Sequence, residues 1–302
     1  MNNKKILVLT MSQSQSSYEV GRLVEEAKKV GIEVNKALYK NLIFDLSNGK
    51  ERVLVKGEEI TAVNTLAVWF RVAGTKSGKY VEGRNLMIRL LGGKVFCTNH
   101  QGYLGWPRMG KIAQHGAFLQ DNIPVVSTRI YYTKKQVLQS RMAEEWRWPI
   151  ICKHDRGYQG KGVRKFESEE EMMKWLNRVE EKNIGMYLWQ KFLPTRWDIR
   201  VIVIDKKAIG AMKRSAVGKE FRSNYSLGGA VERWELSESD KDLAEKVAEV
   251  AGLDYGGVDI MKDEKGKSYV LEVNRQCQFQ GFEKSTGINV AGKVAEMLSR
   301  YI

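Results

Sequence analysis

The sequence predicts a mixed α/β and α+β protein, in which an N-terminal α/β domain precedes two α+β units. Three features lead to this prediction. Strands and helices alternate over the first hundred residues, a glycine-rich loop separates two strands near residue 157, and two apolar strands flank a polar turn near residue 265. Alternating strands and helices are typical of a parallel sheet, whereas strands joined by short polar turns pair as hairpins.

The N-terminal domain is predicted to span residues 1–105. A short apolar run over residues 5–10 indicates a buried strand, and an amphipathic helix over residues 17–30 follows it, capped by Ser16 or Ser17. The alternation continues with strands at 32–38, 66–71 and 94–97 and a helix at 80–91. We therefore expect one parallel sheet in this domain.

Two α+β units are predicted to follow, at residues 106–188 and 189–302. The first contains predicted helices at 108–121, 134–145 and 168–181 and predicted strands at 149–153 and 163–166. The remaining elements are strands at 186–191, 198–204, 207–215, 255–261 and 268–274 and helices at 239–251 and 289–301. Apolar residues recur every three or four positions in the last two helices, as expected for helices packed on a sheet.

Composition excludes several classes of protein. With 302 residues and 43% hydrophobic residues, the chain has ample apolar side chains for packed cores, so disorder is not expected. No apolar stretch approaches the roughly 18–20 residues of a membrane-spanning helix. The three cysteines are odd in number and far apart, which argues against a disulfide framework and fits a reducing compartment. We therefore expect a cytoplasmic protein that does not span a membrane.

The charge balance favours an anionic substrate or partner. Lys and Arg number 50 against 36 Asp and Glu, which gives a formal net charge of +14. A nucleic-acid-binding protein is one alternative, since tryptophans interleaved with cations can stack on bases. The tryptophans in question flank predicted strands, where core or hinge packing is the simpler interpretation: Trp146, Trp148, Trp189 and Trp197. A charged surface without a specific partner is a further alternative.

Three oxygen-bearing side chains are predicted to meet on the last hairpin, which joins strands 255–261 and 268–274. Glu272 and Asn274 are two positions apart on one strand and share a face, and a suitable register brings Asp259 beside them. Oxygen donors of this kind suit a hard cation such as Mg²⁺ better than zinc. A hairpin whose polar residues only face solvent is the alternative.

A glycine-rich loop at residues 154–162 is a candidate phosphate-binding element. Lys153 ends the preceding strand, and three glycines, including Gly160 and Gly162, follow it. The backbone amides and the cation of such a loop can cover phosphates. The loop is not a Walker A motif, because Lys161 is followed by glycine. A plain hairpin turn is the alternative.

Three arginines after this loop are candidate anion-binding residues: Arg200, Arg214 and Arg222. The guanidinium fork matches the geometry of phosphate and carboxylate groups. For any one of them alone, surface charge is the favoured interpretation.

Together these segments resemble the ATP-grasp superfamily, and within it the RimK-like glutamate ligases, over about residues 108–301. The resemblance is carried by residues 198–200 (Asp-Ile-Arg), 221–224 (Phe-Arg-Ser-Asn), 228–230 (Gly-Gly-Ala), 257–260 (Gly-Val-Asp-Ile), 272–274 (Glu-Val-Asn) and 281–293. It implies a pre-ATP-grasp α/β domain at 1–105, a small or lid subdomain of the ATP-grasp fold at 106–188, and a C-terminal subdomain with the metal site at 189–302.

The resemblance also implies a site for ATP and Mg²⁺, with Mn²⁺ as an alternative ion. Nucleotide contacts are implied for Lys111, Lys153, Gly160, Gly162, Gln190, Lys191, Phe192, Leu193, Asp198, Arg222, Ser223 and Asn224. Catalytic roles are implied for Arg214, Lys153 and Arg222, and metal ligation for Asp259, Glu272 and Asn274. Among these, Lys111 and Lys153 would contact phosphates, and Lys191 and Phe192 would line the adenine-binding hinge.

The activity implied by the resemblance is that of an ADP-forming carboxylate–amine ligase. It would add an amino acid, with glutamate favoured, to an anionic acceptor such as an acidic peptide, a protein tail or a small acid, and a homo-oligomer is expected. A graspetide-type ligase, which links side chains within a precursor peptide, is the alternative in the same class. A non-catalytic ATP-binding regulator is a further alternative.

One loop departs from the family's pattern. After Asn274 the family usually continues with small residues and a proline, whereas residues 275–280 read Arg-Gln-Cys-Gln-Phe-Gln here. Because this loop would lie near the acceptor, it leaves the specificity for glutamate open. Cys277 has no identifiable activating partner in the sequence, so a nucleophilic cysteine is not favoured.

Overall fold

The computed structural model describes residues 4–14, 17–47, 49–73, 78–140, 142–157, 160, 162–218, 220–223 and 229–301. The strands are β1 (Lys5–Thr10), β2 (Val34–Leu38), β3 (Leu42–Asp45), β4 (Arg52–Val55), β5 (Glu58–Glu59), β6 (Thr65–Phe70), β7 (Phe96–Cys97), β8 (Thr128–Ile130), β9 (Ile150–His154), β10 (Val163–Phe166), β11 (Tyr187–Lys191), β12 (Trp197–Ile204), β13 (Lys207–Ser215), β14 (Ala230–Trp234), β15 (Tyr255–Lys262) and β16 (Ser268–Asn274). The α-helices are α1 (Ser17–Lys29), α2 (Val81–Leu91), α3 (His100–Gly105), α4 (Lys111–Gln120), α5 (Lys134–Gln139), α6 (Met142–Trp146), α7 (Glu169–Leu176), α8 (Glu238–Val250), α9 (Gln280–Thr286) and α10 (Val290–Ser299). Short 3-10 helices lie at Tyr39–Asn41 and Glu181–Met186.

A parallel sheet with the strand order β2-β1-β6-β7 forms the core of the N-terminal region. All six residues of β6 are buried, because α1 and α10 cover one face of the sheet and α2 covers the other. The parallel sheet predicted from the alternation of strands and helices is therefore confirmed. A second, small antiparallel sheet (β3-β4-β5) was not predicted, since strands of two to four residues give no recognisable periodicity.

The antiparallel sheet β10-β9-β11-β8 has a core of its own. Trp189 is fully buried there, against Phe166 and Trp175. The single helix predicted at 134–145 is wrong: α5 and α6 are separate, because the N–H and the hydroxyl of Ser140 both donate to the Val137 carbonyl and end α5. The helix predicted at 168–181 is also too long, since α7 ends at Leu176.

The five-stranded antiparallel sheet β14-β13-β12-β15-β16 carries the C-terminal region. Helices α4 and α8 pack on one face, and α9 and α10 pack on the other. Strand β14 and helix α9 were not predicted. Strand β14 has the sequence Ala-Val-Glu-Arg-Trp, in which no residue is buried and two adjacent charged residues interrupt the apolar ones, so it lacks the apolar run of a buried strand.

The parallel sheet and the five-stranded sheet share one hydrophobic core. Side chains of β1, β6 and α1 pack together with those of β12, α9 and α10. A polar link joins the same elements, because the Tyr18 hydroxyl donates to Glu283 at 2.7 Å and Arg22 Nε lies 3.2 Å from the same carboxylate oxygen. The domain limits at residues 105/106 and 188/189 stay a prediction.

Among the described residues, no helix combines the length and the apolar character that crossing a membrane requires. The thiols of Cys97, Cys152 and Cys277 are free and buried, in agreement with the spacing of the cysteines in the sequence. Burial raises the pKa of the Cys277 thiol, which makes it a poor nucleophile.

Candidate active site

A row of charged side chains crosses one face of the five-stranded sheet. Arg200 on β12 lies opposite Asp259 on β15, and Asp259 lies opposite Glu272 on β16. Two residues before Arg200, Asp198 lies opposite Arg214 on β13. Directly opposed residues of antiparallel strands project from the same face of the sheet. The register of these strands therefore gathers two arginines and three carboxylates.

An irregularity in the pairing of β15 with β16 changes which side chains face this row. The register passes from Asp259–Glu272 to Ile260–Val270, so Leu271 is an extra residue on β16. Such bulges re-aim side chains, and they are frequent next to functional sites. Here Leu271 and Glu272, although consecutive, both line the same cleft.

Two arginines and two aspartates form a buried ion-pair network. Arg200 binds Asp259 with both arms, with Nε–Oδ1 and Nη2–Oδ2 distances of 2.7 and 2.6 Å. Arg214 Nη2 lies 3.0 Å from the same Oδ2, and its Nε lies 2.5 Å from Asp198 Oδ1. Burial opposes the charged form of both guanidinium groups, but the aspartates raise their pKa above the ordinary value. Both arginines are therefore permanently charged.

The structure brings Asp259, Glu272 and Asn274 together. Asn274 Nδ2 lies 3.3 Å from Asp259 Oδ2 and 3.2 Å from Glu272 Oε1. Burial alone would raise the pKa of Glu272, but Lys111, Arg200 and Asn274 lower it to about 2, so this carboxylate is ionised. No group of three or more His, Cys, Asp or Glu among the described residues could hold a metal, so the amide oxygen of Asn274 is the third donor available here.

Lys111 joins the glycine-rich loop to this carboxylate cluster. Its Nζ lies 2.7 Å from Glu272 Oε2 and 2.8 Å from the carbonyl oxygen of Gly157. The position of Lys111 is fixed by the start of α4, where the Ile112 N–H donates to Asp155 Oδ1 at 2.9 Å. Lys111 thereby lies between the sheet β10-β9-β11-β8, which Gly157 follows, and the five-stranded sheet, which carries Glu272.

Four of the five charged side chains in this row, Asp198, Arg214, Asp259 and Glu272, line one cleft. Apolar side chains form part of its wall: Val126, Ile151, Val163, Phe192, Leu193, Met261 and Leu271. One cleft thus offers apolar surface for a flat ring together with cations and oxygen donors.

Most of the residues assigned to the site from the sequence line this cleft, namely Lys111, Lys153, Gly160, Gln190, Lys191, Phe192, Leu193, Asp198, Arg214, Arg222, Ser223, Asp259 and Glu272. Asn274 touches the cluster through Asp259 and Glu272. Gly162 is not among the described residues that line the cleft, and it borders a neighbouring depression instead. Asn224 lies outside the described residues. The roles given to these residues stay predictions.

Arg222 connects the cleft to the glycine-rich loop. Its Nη1 donates to the carbonyl oxygen of Gly160 at 2.7 Å. Its other nitrogens bind Glu220, with Nε–Oε1 and Nη2–Oε2 distances of 2.9 and 2.7 Å. This pairing holds the pKa of Glu220 at about 2.

Two parts of the site were not predicted from the sequence. Arg200 was noted only as one of several cations, whereas it binds Asp259 with both arms. His115, which is 5% exposed, lies 2.9 Å from Gln190 and was not considered. The contact between Arg200 and Asp259 could have been predicted if the register of β12 with β15 had been known, since the two residues lie directly opposite each other. No signal in the sequence pointed to His115.

The tryptophans do not form the stacking surface that the nucleic-acid alternative needs. Trp189 is completely buried, and Trp146 and Trp148 pack against the core of the same sheet. Trp197 packs against Trp234, with ring centroids 5.3 Å apart. Packing is therefore the role that the structure gives to these rings.

Comparison with known proteins identifies the family. The sequence profile of the RimK-like ATP-grasp domain matches residues 109–298, more than half of the chain. The chain belongs to the RimK-like ATP-grasp family. The family and the fold class expected from the sequence are thus confirmed.

Several curated relatives in the RimK-like family are named probable alpha-L-glutamate ligase. One from Psychromonas ingrahamii is 27% identical over 298 residues, which cover 97% of this chain and 95% of the relative. One from Legionella pneumophila is 34% identical over 153 residues, 50% of each protein. The chain thus spans about half the length of the first curated relatives that it matches.

Solved structures show the same fold along the whole chain. A structure of the ATP-grasp ligase PsnB complexed with minimal precursor has a TM-score of 0.76 at 22% identity and covers 99% of this chain and 100% of that one. A RimK domain ATP-grasp protein from Sphaerobacter thermophilus has a TM-score of 0.68 at 17% identity and covers 97% and 98% of the two chains. At this identity the likeness concerns the fold alone.

Proposed function

We propose that this protein is an ATP-dependent carboxylate–amine ligase, which activates a carboxylate as an acyl phosphate and joins it to an amine. One observation carries the proposal: a single cleft combines apolar walls, the cations Lys111, Lys153 and Arg214, and the carboxylates Asp259 and Glu272. These are the groups that binding and transfer of a nucleotide phosphate require.

The nucleotide would lie with its base among the apolar side chains and its phosphates near the lysines. Phe192 and Leu193 follow β11 and offer apolar surface to the base. Lys111 and Lys153 would meet the phosphates, and Lys111 would then exchange its contact with Glu272 for a phosphate oxygen. The glycine-rich loop, which Lys111 already contacts, would cover the phosphates and exclude water.

Asp259, Glu272 and Asn274 would hold Mg²⁺, since two carboxylates and an amide oxygen form the hard donor set that this ion prefers. The Asn274 side chain, whose Nδ2 faces both carboxylates, would turn to present its oxygen to the ion. When bound, the ion would neutralise charge on the phosphates during transfer. Arg200 and Arg214 bind Asp259 and fix its orientation. They also confine the carboxylate to one position before a ligand arrives.

The reaction would proceed in two displacements. An acceptor carboxylate oxygen attacks the γ-phosphorus, the bond to the β,γ-bridging oxygen breaks, and ADP leaves. An amine then attacks the carbonyl carbon of the acyl phosphate, phosphate departs, and the nitrogen loses a proton to give the amide. Arg214 would stabilise the oxyanion and the departing phosphate, since it is charged, buried and part of the cleft wall.

Two candidate reactions are supported by different observations. The relatives named probable alpha-L-glutamate ligase support addition of an amino acid, with glutamate favoured, to an acidic peptide, a protein tail or a small acid. The net charge of +14 would steer such acceptors to the enzyme. The likeness of the whole chain to PsnB bound to a minimal precursor favours a second candidate, a graspetide-type ligase that joins side chains within a peptide.

A phosphate-release assay with mass spectrometry tests the proposal. We expect phosphate release that depends on Mg²⁺, on ATP and on an acceptor, when single amino acids are supplied with and without acidic peptides. A product heavier by an amino-acid residue supports the first candidate, whereas loss of water within the peptide supports the second. If every combination leaves ATP intact, the ligase proposal fails. Salt-sensitive retention of RNA or DNA would then favour a nucleic-acid-binding protein, and ATP binding without turnover would favour a regulator. A cytoplasmic location and a homo-oligomer remain part of the proposal.

Nucleotide binding is expected to weaken at alkaline pH. Burial lowers the pKa of Lys153 to about 8, although Glu272 partly opposes the effect. A lysine that loses its proton above this pH loses its attraction for phosphate, so the KM for ATP should rise by up to about tenfold per pH unit above pH 8. Steady-state kinetics across this range measures the effect. In Lys153→Arg the charge persists and the rise should vanish; a wild-type KM that stays flat would contradict the prediction.

A further inference from the structure

Five residues form a hydrogen-bond network behind the cleft, which we call the Gln190 network. Gln190 Nε2 lies 2.8 Å from Thr128 Oγ1 and 2.9 Å from His115 Nε2. Thr128 Oγ1 lies 2.7 Å from the Val126 carbonyl oxygen, and His115 Nδ1 lies 2.9 Å from the Lys111 carbonyl oxygen. Gln190 and His115 are 2% and 5% exposed, so water does not compete for these bonds.

The two backbone carbonyls at the ends of the Gln190 network determine the direction of every bond in it. A carbonyl oxygen only accepts, so the Thr128 hydroxyl must donate to Val126 and can only accept from Gln190. By the same reasoning, His115 carries its proton on Nδ1 and accepts at Nε2. Both partners of Gln190 are therefore acceptors, and the side-chain amide must present its NH₂ group to them.

Burial supports this state of the histidine. It lowers the pKa of His115 to about 4, and nearby lysines act in the same direction, while the Lys111 carbonyl opposes it. The ring is therefore neutral at physiological pH. In a protonated ring both nitrogens would carry a proton. The Nδ1–H would still donate to the Lys111 carbonyl, but the Nε2–H would face the NH₂ group of Gln190, and these two donors would repel each other.

The carbonyl oxygen Oε1 of Gln190 is not among the buried unpaired polar atoms of the described residues, so it is accessible from the cleft that Gln190 lines. Gln190 lines the cleft, and no donor in the described part of the chain hydrogen-bonds to Oε1. Apolar side chains, among them Val126 and Ile151, stand beside it in the cleft wall. Because the amide of Gln190 is held in one orientation, only its oxygen, an acceptor, can meet a ligand. The site therefore favours a ring that carries a hydrogen-bond donor at the edge facing Oε1.

The geometry points to His115 and Thr128 as positioning residues that lock the Gln190 amide, so that its oxygen accepts from the 6-amino group of adenine and excludes 6-oxopurine nucleotides. The inference rests on the proposed function, since it concerns the nucleotide of the same cleft. Adenine bears an amino donor at this position, whereas hypoxanthine and guanine bear an acceptor oxygen. Two acceptors would then face each other, and a buried polar group would remain unpaired.

Binding of ADP and IDP, measured by calorimetry with Mg²⁺ present, tests the inference without any acceptor substrate. IDP carries the 6-oxo group in place of the amino group. We expect the wild-type protein to bind ADP at least about tenfold more tightly than IDP. Equal affinities would overturn the inference while leaving the proposed function intact. Failure of both nucleotides to bind would instead sink the proposed function and the inference together.

Matched variants test the positioning role. Thr128→Val removes the hydroxyl at nearly constant volume and frees the amide to turn, so the preference for ADP should fall to about threefold or less. Thr128→Ser retains the hydroxyl and should keep the preference. His115→Gln retains an acceptor and should behave like Thr128→Ser, whereas His115→Phe should behave like Thr128→Val. A purely structural role would weaken both nucleotides equally, so an unchanged ADP-to-IDP ratio in Thr128→Val and His115→Phe would refute the lock.

Discussion

Replacing Glu272 by glutamine is expected to reduce ATP-dependent phosphate release by at least about 10²–10³-fold. Glu272 is ionised, lies beside Asp259 and Asn274, and lines the cleft, so its charge would be available to a bound cation. Glutamine has the same size and still accepts a hydrogen bond from Lys111, but it supplies no charge. The variant should therefore keep the fold and lose the reaction.

Glu264→Gln provides the matched control for this substitution, since Glu264 lies exposed in the turn that joins β15 to β16. It should retain wild-type turnover. Thermal melting of both variants separates a loss of chemistry from a loss of structure. Wild-type phosphate release in Glu272→Gln, at saturating Mg²⁺ and ATP, would remove Glu272 from the metal site.

Replacing Asp259 by asparagine is expected to destabilise the protein as well as inactivate it. Asp259 is 2% exposed and pairs with the buried Arg214 and with Arg200, whose side chain is 13% exposed. Removal of one partner from a buried ion pair leaves an uncompensated charge and costs about 3–5 kcal/mol. In a protein of this size, the melting temperature should fall by roughly 10 °C. Thermal unfolding followed by circular dichroism measures the change.

Asp205→Asn is the control for this stability effect, because Asp205 pairs with Arg300 at the surface, where each side chain is about half exposed. An exposed pair contributes at most about 1 kcal/mol, so its loss should barely change the melting temperature. Adding Arg200→Met to Asp259→Asn should recover part of the stability, since Arg200 is the arginine that loses its carboxylate partner, whereas Arg214 keeps Asp198. Equal melting temperatures for Asp259→Asn and the wild type would contradict the account of the network.

Local sequence patterns were enough to predict the elements that bury apolar runs. The residues of β1, β10 and β16 coincide with the predicted strands, because each is a short apolar or alternating run between polar turns. The helix at 134–145 failed because a single hydrogen-bonding serine, Ser140, ends α5 without any break in the apolar pattern. Apolar periodicity does not predict which backbone carbonyl a serine hydroxyl will bind, so the end of α5 could not be predicted from it.

The site was predicted by residue type and resemblance rather than by geometry. Asp259, Glu272 and Asn274 were expected together if the register allowed it, and the register does place Asp259 opposite Glu272. The extra residue Leu271 could not be foreseen, because a bulge depends on the pairing of two strands and not on either sequence alone. The Gln190 network was missed for the same reason, since its members are brought together from three separate elements.

The core shared by the first and last parts of the chain limits how this protein can change in evolution. Because α1 packs against α10 and Tyr18 binds Glu283, exchange of the N-terminal region for that of a relative would uncover apolar surface on the C-terminal sheet. Recombination of whole domains therefore carries a cost in stability that substitutions at exposed positions do not.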